Sequence, residues 1–159
     1  MLGKTLKKIN IISGKIEHSL IALGLITMSV IIFINVISRH FFDTSVMWAE
    51  ETSRYINVWI TFIGLSACLR FNEHIKIDIL LNKISKSVKF FVNRLVLLIG
   101  LVSSIYLVYL GWAITEKLLK SGNVSVTTGI PIWLLYLAVP VGFILMTISY
   151  IQKLYQTFK

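Results

Sequence analysis

The chain is 159 residues long, 56% hydrophobic and only 14% charged, with a mean hydropathy of +0.81. Soluble domains hold roughly 45–50% apolar and about 25% charged residues, and a chain this short lacks the core volume to hide such an excess from water. Lipid must solvate much of it, which excludes a soluble enzyme and a disordered regulator; the net charge of +9 reads as a membrane orientation signal rather than a face for nucleic acid.

Residues 19–38 carry no formal charge. As a helix they cover about 30 Å, the thickness of a hydrocarbon core. Lys4, Lys7, Lys8 and Lys15 precede the run, as in a signal peptide. The run is longer than a signal peptide's apolar region of about 7–15 residues, however, and no A-x-A-like site follows it. It is expected to be a retained first span, about residues 18–39.

The next uncharged run, 55–69 between Arg54 and Arg70, is short for a span. Met47, Trp48, Glu51, Tyr55, Val58, Phe62 and Leu65 recur at helical spacing, so this helix is expected over about 46–70 with Arg70 snorkelling at its end. Glu50 and Glu51 stand within pairing reach of Arg54 on one helix face. Such a pair would lower the cost of charge at the end of a short span, or would meet a neighbouring protein. Trp48, Tyr55 and Trp59 suit the aromatic belt. Cys68, the single cysteine, permits no intrachain disulfide and no Cys-based metal cluster, and inside an apolar run it reads as a small buried hydrophobe.

In the following connection Ile77, Leu80, Leu81, Ile84, Val88, Phe91 and Leu95 mark one helical face, and Asp78, Asn82, Lys83, Lys86, Lys89 and Asn93 the other. This pattern predicts a basic amphipathic helix lying in the membrane interface. Lys76, Lys83, Lys86 and Lys89 would face anionic phospholipid, at about 1 kcal/mol each. A third span is expected over about 93–115 and a fourth over about 130–152, after the loop-like stretch 121–129. Pro131 suits the first turn of the fourth helix, Trp133 and Tyr136 anchor its outer end, and Pro140 frees the carbonyl of Tyr136, so a kink is expected.

The whole reads as an all-α membrane protein: a single domain, 1–159, of four transmembrane helices plus one interfacial helix between the second and third. Lys4, Lys7, Lys8, Lys15, Arg70, Lys76, Lys83, Lys86, Lys89, Arg94, Lys153 and Lys159 fall on one side, against Arg39, Arg54, Lys117 and Lys120 on the other. That split places both termini in the cytoplasm.

Ionisable side chains all fall at or outside the expected span ends, so no midplane carboxylate is available for proton-coupled export. His18, His40 and His74 cannot form the facing pairs of a haem anchor, and no pair of broken helices marks a transport site. No catalytic, cofactor-binding or metal-ligating residue is expected. A partner subunit, rather than a self-sufficient machine, is the natural reading.

Two blocks carry more. The first runs through Trp48, Glu51-x-x-Arg54, Trp59, Phe62-x-Gly64, Arg70 and His74-Ile-x-x-Asp78; the second is Gly129-Ile-Pro131-x-Trp133-x-x-Tyr136-x-x-x-Pro140-x-Gly142. Their order and spacing resemble the DctQ-type small membrane subunit of tripartite ATP-independent periplasmic (TRAP) transporters, and the likeness covers nearly the whole chain. The resemblance implies a bacterial inner-membrane scaffold subunit in a sodium-coupled importer of an organic acid, such as a C4-dicarboxylate or sialic acid. Its implied partners are a large M-type transport subunit, which holds the substrate and sodium sites, and a periplasmic substrate-binding protein. Expected large-subunit contacts are Trp48, Glu50, Glu51, Arg54, Trp59, Gly64, Arg70, His74, Asp78, Pro131, Trp133, Tyr136 and Pro140. Expected docking residues for the periplasmic protein are Arg39, His40, Asp43, Lys117 and Lys120. The rival reading is a membrane anchor of a respiratory or redox complex.

Overall fold

The computed structural model describes residues 2–71 and 86–157. They form four helices, α1 (Leu2–Phe42), α2 (Met47–Phe71), α3 (Lys86–Ser121) and α4 (Trp133–Thr157), and the described residues include no strand beyond an isolated bridge between Val124 and Pro131. Segments Ser13–Phe42, Phe90–Ser121 and Trp133–Tyr155 are long and apolar enough to cross a membrane. Helix α2 is not among them, because Glu50, Glu51, Arg54 and Arg70 dilute its 25 residues.

Boundaries differ from the sequence expectation in instructive ways. Helix α1 begins about sixteen residues earlier than the apolar run, since no proline interrupts the polar turns before it. The expected interfacial helix, with His74, Lys76, Asp78 and Lys83, lies mostly outside the described residues. Its last part, including Lys86 and Lys89, forms the first turns of α3, where no Gly or Pro breaks the helix before the apolar run. At α4 the helix proper starts at Trp133. Pro131 stands just ahead of it: its carbonyl accepts the Leu134 N–H at 3.1 Å, while Ile132 N–H is held by the Asn123 carbonyl at 3.0 Å.

The helices do not close into a four-fold bundle. Extensive packing joins α1 to α2, α2 to α4, and α4 to α3. The result is a row with α1 and α3 at its edges and α2 and α4 at its centre. Ala49, Ala67, Leu97 and Ala138 are the buried hydrophobic side chains, whereas Leu23, Ile26 and Phe33 of α1 and Val102, Ile105 and Trp112 of α3 are exposed. Large residues outside and small or polar ones inside is the arrangement that lipid favours, because lipid gives no hydrophobic drive between helices.

Close approach holds the row together. On α1 the less exposed positions Glu17, Ile21, Gly24, Met28, Ile31, Asn35 and Ser38 alternate three and four apart, the spacing of a coiled-coil seam. Between α2 and α4 the chains approach at Gly142, where a Cβ would stand 2.6 Å from the Phe62 carbonyl oxygen, and Phe62 and Phe143 meet edge-on at 5.9 Å. Between α3 and α4, Gly111 leaves room for Pro140, whose ring is fully buried inside α4.

Both loops at the α1/α2 and α3/α4 end are pinned. Asp43 takes a left-handed φ of 48°, and the Val46 N–H donates back to Asn35 Oδ1 of α1 at 2.9 Å. In the second loop Ser125 is the pivot: its N–H donates to Ile130 O at 2.9 Å, and its hydroxyl accepts the Thr127 and Thr128 amides at 3.3 and 3.1 Å.

Because the obstacle at Gly142 is backbone, Gly142→Val is expected to destabilise the detergent-solubilised protein by about 1–3 kcal/mol. Gly64→Ala, whose new methyl would meet only Ile21 Cδ1 at 3.9 Å, is expected to leave the melting temperature unchanged. Thermal unfolding monitored by circular dichroism distinguishes the two.

Candidate functional site

Antiparallel succession gathers the C-termini of α1 and α3 and the N-termini of α2 and α4 at one end. Arg39, His40 and Asp43 close α1 there, all exposed. Lys117 and Lys120 close α3 and are exposed too, but Lys120 Nζ binds Glu116 Oε1 at 2.7 Å. That surface pair contributes little stability, yet it partly neutralises a patch that the sequence pattern left wholly positive. Because α1 and α3 are the edges of the row, the two charged groups stand apart from each other, with the Ser125 hairpin and its fully exposed Val126 nearer the second.

The conspicuous surface is on α2. Met47, Glu50, Arg54, Asn57, Thr61, Leu65 and Cys68 are all exposed and recur every three or four residues, so they form one stripe down the open side of the helix. Neither Glu50 nor Glu51 pairs with Arg54. This corrects the expectation from spacing: exposed side chains gain too little from pairing to be held in one geometry. Cys68 likewise is exposed rather than buried, since it falls on this stripe and not on a packed face. The hydroxyl of Thr61 donates to the Asn57 carbonyl at 2.8 Å.

The remaining expected contact residues divide. Trp48 is exposed, Glu51 and Trp59 are half-buried beside the stripe, and Trp133 and Tyr136 sit at the matching end of α4. Gly64 is half-buried with Ile21 of α1 as its nearest neighbour, whereas Pro140 is buried against Gly111 of α3 and serves packing within the chain. Pro131 belongs to the hairpin. His74 and Asp78 lie outside the described residues, and Arg70 occupies the last turn of α2.

A buried polar cluster at the other end escaped the sequence reading. Glu17 is 3% exposed, and its Oε1 accepts the Ser66 hydroxyl of α2 at 3.2 Å. Ser66 Oγ in turn lies 3.3 Å from Ser149 Oγ of α4, so one serine joins three helices. Farther along α4 the hydroxyls of Thr147 and Ser104 of α3 meet at 3.0 Å. Glu17 lies on the α1 seam one heptad before Gly24, and that register was the available signal. Among the described residues no three His, Cys, Asp or Glu side chains gather as a metal site would require.

Comparison with known proteins adds a family. The model described as tripartite ATP-independent periplasmic transporters, DctQ component, matches residues 28–159. The ectoine TRAP transporter small permease protein TeaB of Halomonas elongata is 27% identical over 90% of this chain and 74% of its own length. The C4-dicarboxylate TRAP transporter small permease protein DctQ of Rhodobacter capsulatus is 28% identical over 68% of this chain and 48% of its own. The sialic acid TRAP transporter permease protein SiaT of Haemophilus influenzae is 28% identical over 92% of this chain, but that match spans only 23% of the longer protein.

Ser66→Ala removes the hydroxyl that links α1, α2 and α4, and it is expected to destabilise the protein by about 0.6–2 kcal/mol, the scale of interhelical hydrogen bonds in membranes. Ser103→Ala, which loses only a bond to the Gly100 carbonyl of its own helix, is the neutral comparison. Thermal melts of the two purified variants test this.

Proposed function

This chain belongs to the DctQ-component family of tripartite ATP-independent periplasmic transporters, and we propose that it is the small scaffold subunit of a sodium-coupled importer of an organic acid. In this reading it packs beside a large transport subunit and helps to dock a periplasmic substrate-binding protein. The observation that carries the reading is the open row: two broad faces and a charged central helix suit a chain completed by another membrane protein. The match to SiaT supports it too, because more than three quarters of that permease lies outside the region similar to this chain.

The topology follows the basic residues, with both termini in the cytoplasm and the pinned loops outward. Helix α2 then crosses as the second of four spans, sheltered between α1 and α4. Lys76, Lys83, Lys86 and Lys89 would lie at the cytoplasmic lipid surface. Relatives named for ectoine, sialic acid and C4-dicarboxylate stand at similar identity, so the organic-acid class rests on the family resemblance rather than on one relative. A redox anchor is the weaker reading, because the matched family is a transporter component.

Reconstituted alone in liposomes, the chain is expected to give no sodium-dependent uptake of succinate or sialic acid, since no span offers a substrate site. Uptake is expected only when the large subunit and the loaded periplasmic protein are both supplied. Uptake by the chain alone would refute the scaffold role.

Docking is expected to depend on the outward charges chiefly through encounter rate. Lys117→Glu should lower uptake several-fold at limiting periplasmic protein, and Lys120→Glu less, because Glu116 already pairs with Lys120. The loss should shrink as the periplasmic protein is raised, and also at higher salt, where screening acts within about 8–10 Å. Uptake curves that overlay the parent at every concentration would remove this loop from the docking surface.

A further inference from the structure

The exposed stripe of α2 contradicts a lipid-facing role. We propose that it is the seat of one membrane-spanning helix of the large subunit, and that this helix presents a hydrogen-bonding side chain, an amide or hydroxyl, at the depth of Asn57. The inference rests on the scaffold reading above and deepens it by naming the face and its chemistry.

Depth is the first argument. Helix α2 has 25 residues, about 37 Å at 1.5 Å each, and Asn57 stands about 15 Å from its start. That is close to the middle of a hydrocarbon core about 30 Å thick. Glu50 and Arg54 are nearer the end, where long side chains reach the interface. Asn57 is too short to do so.

Satisfaction is the second. Three exposed hydroxyls within the spans turn back on their own helices: Thr27 donates to Leu23 O at 2.8 Å, Thr61 to Asn57 O at 2.8 Å, and Ser103 to Gly100 O at 3.1 Å. An asparagine amide has two donors and two acceptor sites, and none of Asn57's is taken by another described residue of the chain. Leaving such a group in hydrocarbon costs several kcal/mol. A facing polar side chain removes that cost.

Width and contrast complete the case. Glu50, Arg54, Asn57 and Thr61 follow one another at four, three and four residues, the seam that a single packed helix covers. The exposed faces of the edge helices are dominated by large apolar side chains, with Leu23, Ile26, Val30 and Phe33 on α1 and Val102, Ile105 and Leu98 on α3. Those faces suit lipid. Among the described helices it is α2, which falls short of the apolarity needed to cross by itself, that shows a polar stripe. Arg54, unpaired among the described residues, adds a demand for a carboxylate or a carbonyl cluster on the same partner, one turn nearer the outer surface.

The test uses the chain co-expressed with its large subunit. A photoreactive benzophenone amino acid is placed at Asn57, and in a separate variant at the lipid-facing Phe33. Irradiation is expected to join the chain to the large subunit from position 57 and to give no protein adduct from position 33. An adduct between two copies of the chain, an equal yield from both positions, or no protein adduct from position 57 would overturn the proposal. In parallel, Asn57→Leu is expected to reduce the large subunit retained on purification about three- to tenfold, with Asn57→Gln recovering part of it, while both variants melt like the parent when purified alone. Full retention by Asn57→Leu would overturn the proposed face and leave the scaffold role standing. Failure of the unaltered chain to retain any large subunit would overturn both.

Discussion

The fold depends on how closely α2 and α4 can approach. At Gly142 the backbone of one helix meets the carbonyl of the other with no side chain between them, and every further contact in the row is built outward from that central pair. Lipid supplies no hydrophobic drive for helices to associate, so association must come from fitted surfaces and interhelical hydrogen bonds. Gly111 beside Pro140 and the Ser66 link to Glu17 and Ser149 extend the same solution to the edge helices. The buried set is correspondingly rich in alanine and serine and poor in leucine and phenylalanine.

A row, unlike a closed bundle, leaves its central helices open on one side. For α1 and α3 that openness costs nothing, because their exposed residues are soluble in lipid. For α2 it leaves Arg54 and Asn57 facing outward with no group among the described residues to satisfy them. Polar groups at membrane depth are retained where they meet a partner or a function. The architecture suits a part of a larger assembly, with pinned loops at one end and a polar seam along one side. Asn35 of α1 holds the first of those loops and Ser125 organises the second, so that end of the row is shaped by the chain itself.

A row joined at glycine contacts and buried hydroxyls suits the proposed scaffold role. The charged groups at the loop end, Arg39 and Asp43 on one edge and Lys117 on the other, lie where electrostatic steering of a soluble partner would be felt.

The four described helices and their order followed from the sequence, because lipid imposes a length and an apolarity that uncharged runs such as 19–38 and 95–115 display directly. The short run in α2 also announced itself through helical spacing from Met47 to Leu65. What the linear pattern could not hold was which helix meets which. Periodicity identifies a face but not its neighbour, so Pro140 looked like a partner contact until α3 was seen to cover it. Cys68 looked buried until its stripe proved open. Glu17, just ahead of the uncharged run, carried no distinguishing signal on its own, and only the seam of α1 brings it against Ser66, forty-nine residues away in the chain. Hydropathy is a local sum, legible residue by residue, whereas burial depends on contacts between segments distant in sequence, and those only the tertiary structure decides.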